Sequence, residues 1–183
     1  MARDIALRRL EPPGPGGLLR RWRIGKLLAL AEVYVPYRLY EVIIEDHRIH
    51  TRRHYAVDAA TGTLDPYEFA VAPPPEAFVE VETRNCHPLR LDEKQTNQLA
   101  GARARRWMFS RGFFRLANPL IRTNLVQPDF YIPYWAGFYG DEQNLNLVVL
   151  DAVRQTQEGS KVRQLIHTWL EDRPALFPQH RLA

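Results

Sequence analysis

One pattern occurs twice in this chain, and it constrains the fold more than any other feature. Tyr34-Val35-Pro36-Tyr37 matches Tyr131-Ile132-Pro133-Tyr134, and Val57-Asp58-Ala59 matches Leu150-Asp151-Ala152. The second tyrosine and the aspartate are 21 residues apart in the first copy and 17 in the second. A hairpin loop of variable length absorbs that difference. Each copy also follows a basic segment rich in arginine and apolar residues. The pattern predicts a duplicated unit: a basic helix, a long strand, then a returning strand. The expected class is α+β, with two helix-plus-β-hairpin repeats forming a mostly antiparallel sheet and the helices packed on one face.

The expected organisation follows from the turn and periodicity signals. Residues 1–17 contain Glu11-Pro-Pro-Gly-Pro-Gly-Gly17 and read as an irregular arm. Residues 18–71 form unit one, with a helix over 18–31, a strand over 33–44, a polar connection over 47–53 and a return over 54–58. Pro36 and Pro133 lack a ladder donor, so each predicts an edge or a bulge. Residues 72–91 are a proline-rich linker with an extra strand. Residues 92–173 form unit two. Its helix starts at Asp92 with Gln95 at capping-box spacing and presents Leu99, Ala102, Phe109, Phe113, Leu116 and Leu120. A hairpin over 130–139 and 145–151 comes next, then a C-terminal helix with the stripe Val162, Leu165, Ile166, Trp169 and Leu170. Residues 174–183 are a tail.

The stretch Val57-Asp58-Ala59-Ala60-Thr61-Gly62 resembles the Val-Asp-Ala-x-Thr-Gly hairpin of PepSY-like modules. The resemblance implies small helix-plus-antiparallel-sheet units, often in tandem, associated with inhibition or interaction and not with catalysis. It is confined to this stretch of one copy, and the second copy keeps only Asp151-Ala152.

Apolar residues make up 45% of the chain and charged residues 25%, a globular balance that excludes wholesale disorder. No apolar run is long enough to span a bilayer, and no charged-then-apolar leader opens the chain. Cys86 is the one cysteine, so neither an internal disulfide nor a cysteine zinc site is expected, and the default compartment is a reducing cytoplasm. The net charge of +4 is unevenly placed: +5 over residues 1–26, −5 over 27–99, +6 over 100–122 and −2 over 123–183.

The basic segments are the strongest functional signal. Trp22 stands among arginines in the first, and Arg103, Arg105, Arg106 and Arg111 stand among aromatics in the second. Such mixtures suit nucleic acid, where arginine meets phosphate and rings stack on bases, or an anionic membrane surface. The alternative is a solvated amphipathic helix paired with the acidic middle of the chain. Tyr34, Tyr37, Tyr131, Tyr134 and Trp135 are the second signal. Exposed on one sheet face they would form a protein-binding surface, and otherwise they are core.

Three further groups invite chemistry. His47, His50 and His54 carry ligand-type side chains, but the intervening arginines repel a cation and alternation points His47 away from the other two. An exposed connection is expected there, without a metal. Asp58 and Asp151 read as turn residues that bond their own backbone. Cys86 beside His87 lacks a third group for nucleophilic activation. Phosphate-loop, dinucleotide, serine-elbow and zinc-protease motifs are absent from the sequence. The expectation is a non-enzymatic binding or accessory protein with no cofactor and, as partner, another protein. Nucleic acid or an anionic membrane surface is the alternative partner, a homo-oligomer a further option, and a small enzyme using the histidines or aspartates the remaining reading.

Overall fold

The structure, a computed structural model, describes residues 4–12, 27–46, 49–110, 119–140 and 145–172. Its backbone is a ribbon of two long antiparallel strands, β2 (Leu27–Asp46) and β6 (Leu120–Gly140). At the centre of the ribbon Val35 pairs with Ile132, Tyr34 with Pro133 and Pro36 with Tyr131. The two tyrosine–proline segments therefore lie across from each other about a local two-fold axis through the Val35–Ile132 pair. The flanking strands obey the same relation. Strand β3 (Ile49–Asp58) returns along β2 and sets Asp58 opposite Tyr37, and β7 (Leu145–Asp151) returns along β6 and sets Asp151 opposite Tyr134.

Short strands complete the sheet. β1 (Asp4–Leu7) runs parallel to β6, with Ala6 against Tyr131, while Cys86 forms a parallel bridge to Tyr34. β4 (Tyr67–Phe69) extends β3, and β5 (Phe78–Val81) extends β1. The order is β4-β3-β2-β6-β1-β5, with β7 also on β6.

This arrangement explains two prolines in the middle of a sheet. The carbonyls of Pro36 and Pro133 point away from the β2–β6 ladder and accept from Ala59 N–H (2.9 Å) and Ala152 N–H (3.1 Å). The ring nitrogens face the same flank, where one neighbouring segment stops and the next begins. A ladder donor is not needed at that junction, so proline costs no hydrogen bond.

The strands bury different faces along their length. Val33, Val35, Tyr37 and Leu39 join Phe130, Ile132, Tyr134, Ala136 and Phe138 in one core, closed by Val162, Leu165, Ile166 and Trp169 of helix α2 (Ser160–Glu171). Tyr40, Val42, Ile44, Tyr55 and Val57 form a second core on the other face, under helix α1 (Glu93–Ser110). α1 packs through Ala100, Ala104 and Met108, with Thr96 and Gly101 also buried. Its start is tied twice. Asp92 and Gln95 close a reciprocal capping box (2.8 and 2.7 Å), and buried Arg38 donates to Leu91 O (2.8 Å) and Thr96 Oγ1 (3.3 Å).

The α+β expectation, with helices on one face of two helix-plus-hairpin repeats, is overturned. The molecule is mostly β, with about half of the described residues in strands of one curled mixed sheet, and the two α-helices among the described residues lie on opposite faces. Leu27–Ala31, expected to be helical, pairs with Tyr139–Ala136, so the ladder to β6 overrides the helical preference of leucine and alanine even though Leu28, Ala29 and Leu30 stay exposed. Leu120 belongs to β6 and not to the α1 stripe, and Ala102 and Phe109 face solvent. Residues 4–7 form a paired strand inside the arm expected to be irregular. Residues 49–53, expected to be a loop, continue β3. The expected helix over 18–26 lies outside the described residues.

Candidate functional site

A cavity of about 280 Å³ opens where the two-fold-related strands meet the start of α2. Its floor is the tyrosine pair: the hydroxyls of Tyr37 and Tyr134 are 3.0 Å apart and buried. One wall is the segment Leu64–Tyr67, and the other runs from Arg154 and Glu158 to Val162. Lys161 Nζ reaches Asp65 Oδ1 across the mouth at 2.9 Å, and Arg103 reaches the same oxygen at 3.3 Å. The Arg154 guanidinium lies 3.2 Å over the Tyr67 ring and donates to Glu68 O (2.7 Å).

The two repeated aspartates hold the wall segments in place. Asp58 Oδ1 accepts from Ala60 N–H (2.7 Å) and Thr61 N–H (3.1 Å). Asp151 Oδ1 accepts from Val153 N–H (2.7 Å) and Arg154 N–H (2.8 Å). The left-handed position of each turn is Gly62 (φ 71°) in one copy and Gln155 (φ 57°) in the other. The second oxygens differ. Asp58 Oδ2 accepts from the Thr61 hydroxyl (2.7 Å) and Leu64 N–H (3.4 Å). Arg154 stands where Thr61 stands in the first turn, and the Asp151 carboxylate, its Oδ2 buried, interacts instead with the Tyr67 hydroxyl.

Burial dominates the electrostatics of the cavity. It pushes the Tyr37, Tyr67 and Tyr134 hydroxyls well above the ordinary tyrosine value, and the charge of Asp151 raises all three further. Burial also raises Glu158 above its ordinary 4.5, with the Asp151 charge adding and Arg154 opposing. A carboxyl held more tightly protonated in the folded state costs nothing below 4.5 and costs stability as pH climbs through its raised value. Glu158→Gln is therefore expected to raise the thermal midpoint at neutral pH, with the gain vanishing in mild acid. Melting curves at both pH values check this; a gain equal at both would assign the effect to packing.

The residues singled out in the sequence are dispersed. Tyr37 and Tyr134 form the cavity floor, but Tyr34 and Trp135 are buried elsewhere, and Tyr131 is half-buried. The Tyr34 hydroxyl donates to Glu32 Oε1 (2.8 Å) and is pushed up to about 12 by its burial and then by Glu32. Tyr131 also rises to about 12, through burial and the charge of Asp4. Arg9 lies 4.9 Å over the Trp135 ring. On α1, Arg103 is held by Asp65 and by Leu64 O (3.0 Å), whereas Arg105 and Arg106 are exposed and meet no carboxylate among the described residues. His50 lies 3.3 Å from Glu45 and His54 3.8 Å from Glu41, both acids coming from the neighbouring β2. Among the described residues no group of three or more His, Cys, Asp or Glu is placed to hold a metal ion. Trp22, His47 and Arg111 lie outside the described residues.

Tyr67, Arg154, Glu158 and Lys161 were not legible as site residues. Their one signal is position: Tyr67 follows the first aspartate turn, Arg154 lies within the second, and Glu158 and Lys161 follow it. Comparison with known proteins yields no match: no family model, no curated protein and no solved structure is significantly similar to this chain. No helix among the described residues is long and apolar enough to cross a membrane.

Proposed function

We propose that the protein is a non-enzymatic binding protein whose partner is a single-stranded nucleic acid, met by the outer face of α1. The observation that carries this reading is the split among the α1 arginines. Arg103 is spent on Asp65 and Leu64 O. Arg105 and Arg106 reach solvent beside Phe109, which is 55% exposed. Two guanidinium groups that meet no carboxylate among the described residues, next to an exposed ring, combine phosphate contact with base stacking. The tyrosines of the ribbon, being buried, offer little surface to a protein partner. The interaction role implied by the resemblance of the Val57–Gly62 hairpin, and the lack of catalytic motifs, favour binding over reaction. The lone Cys86 favours the cytoplasm as its compartment.

Fluorescence anisotropy with a labelled single-stranded oligonucleotide tests this. Each phosphate contact on a single strand adds about 0.7 to the slope of log K against log salt. Arg105→Ala/Arg106→Ala is expected to flatten the slope by about 1.4 on that basis. Phe109→Ala is expected to weaken binding by about 1–3 kcal/mol per stacked base lost. Arg103→Ala is expected to leave the slope unchanged. No binding at ~50 mM salt, where phosphate contacts are strong, would end the reading. Binding to anionic vesicles with none to the oligonucleotide would move it to a membrane surface.

A further inference from the structure

The start of β6 has one edge that its neighbours leave open. Leu120–Leu125 pairs with Glu45–Tyr40 of β2 in unbroken antiparallel register, and a bulge at Val126 ends the run. On the other edge β1 meets β6 at Tyr131 and β7 pairs from Tyr134 onward, so among the described residues no strand covers Leu120–Leu125 there. Such an edge turns alternate backbone N–H and C=O groups outward, a ladder ready for another extended chain. Proline and lysine commonly guard sheet edges, and neither occurs among these residues. Arg122 reaches back over β2 to Glu45 (3.7 Å). The surface beside this edge is basic. α1 packs on the same sheet face as Ile121 and Leu125, and Asn97 of α1 accepts from the Thr123 hydroxyl. Lys94, Gly101 and Arg105 stand three, four and eight residues from Asn97, so they share the side of α1 that runs along β6. Lys94 and Arg105 are exposed, and neither forms a salt bridge among the described residues. α1 carries Lys94, Arg103, Arg105 and Arg106 against one acid, Glu93. The acids of the adjoining strands are engaged: Glu41 with Arg52, Glu45 with His50 and Arg122, and Asp129 with Arg38.

We propose that Leu120–Leu125 takes up an acidic peptide segment as an added β-strand. The peptide backbone completes the open ladder, and its side chains alternate between the two sheet faces. Acidic residues at every second position then lie toward Lys94 and Arg105. The open run spans about 20 Å, which a segment of about six residues fills. Charge selects this occupant over a second copy of the chain, because two copies joined at this edge would set two basic α1 helices side by side. The site lies on the β6 side of α1 and goes beyond the nucleic-acid reading of the outer face.

The test titrates the full chain with three capped peptides: Glu-Val-Glu-Val-Glu-Val, Lys-Val-Lys-Val-Lys-Val, and Glu-Pro-Glu-Pro-Glu-Pro, which keeps the charge but loses ladder donors. Binding is followed by NMR and by amide hydrogen exchange. The glutamate–valine peptide is expected to bind and to slow exchange at least tenfold at alternate amides of Leu120–Leu125, with neither of the others doing so. Lys94→Glu/Arg105→Glu is expected to weaken that binding at least tenfold. Both positions are exposed, so the variant is expected to melt with the parent, and its loss of binding is not a loss of fold. Arg106 lies about two and a half turns from Asn97, on the opposite side of α1. Arg106→Ala is therefore expected to leave peptide affinity unchanged, which separates this site from the nucleic-acid reading. Absence of binding, equal binding of the lysine or proline peptide, or protection confined to amides outside Leu120–Leu125 overturns the proposal. Protection of these amides that grows with protein concentration in the absence of peptide would assign the edge to a second copy and overturn it as well.

Discussion

Asp58→Ala is expected to lower the unfolding free energy by about 3 kcal/mol or more, since each buried donor left unpaired costs ~1–3 kcal/mol. The carboxylate is 1% exposed and takes four hydrogen bonds, from three backbone N–H groups and the Thr61 hydroxyl. Alanine removes every acceptor at once and leaves the turn donors of Ala60, Thr61 and Leu64 inside the protein. The damage spreads because the turn is wedged under α1. A Cβ on Gly62 would stand 2.6 Å from Leu99 Cδ1 and 2.9 Å from Leu91 Cδ1, so the loop cannot shift outward without disturbing the helix start. Asp151→Ala is expected to cost less, because two backbone N–H groups, those of Val153 and Arg154, bond to that side chain against three in the Asp58 turn. Equilibrium denaturation of the two variants measures the difference. Equal losses would mean that the contact of Asp151 with the Tyr67 hydroxyl stabilises as much as the bonds to the second oxygen of Asp58.

The aspartate pair also shows how far the sequence could be read. Both residues were legible as turn formers, and a glycine, Gly62, occupies the left-handed position of the first turn. Gln155 hides the same conformation in the second, because glutamine carries no preference for positive φ. The hairpin strands were visible because Val33–Ile44 and Phe130–Tyr139 are dense in aromatic and β-branched residues. Their extensions were not. Leu27–Ala31 has helical composition and becomes strand only against Tyr139–Ala136, a partner more than a hundred residues away. β1 and the Cys86 segment occupy equivalent places beside the two tyrosines without sharing a sequence pattern.

The face of α1 was misjudged for a packing reason. Of the apolar residues at helical spacing, Leu99 does pack against the second core, whereas Ala102 and Phe109 face solvent. The helix actually turns Ala100, Gly101 and Ala104 inward, because Tyr40 and Tyr55 fill the space that large helix side chains would need. The tyrosines could not be assigned to surface or core from sequence, since a strand between two covered faces buries both of its alternating sets. The cavity was illegible for a related reason. Its lining comes from four separated stretches that only the two-fold pairing of β2 with β6 brings together.

That pairing makes the ribbon core the most sensitive place in the molecule, and Phe130→Ala its severest test. Phe130 is fully buried, sits opposite Tyr37 in the β2–β6 register, meets the Phe78 ring edge-on at 5.4 Å and lies 6.4 Å from the Tyr37 ring. Truncation removes a whole ring where the sheet cannot collapse, because the neighbouring backbone is locked by ladders on both strands. The expected loss is about 3–5 kcal/mol. Typical domains have only ~5–15 kcal/mol in total, so the variant is expected to melt far below the parent or to be purified partly unfolded. Phe130→Leu keeps most of the volume and is expected to cost about 1.5 kcal/mol or less if the site repacks. The contrast between the two separates volume from identity: a leucine variant as damaged as the alanine one would show that the aromatic contacts with Phe78 and Tyr37 carry the stability, and so hold β5 to the ribbon.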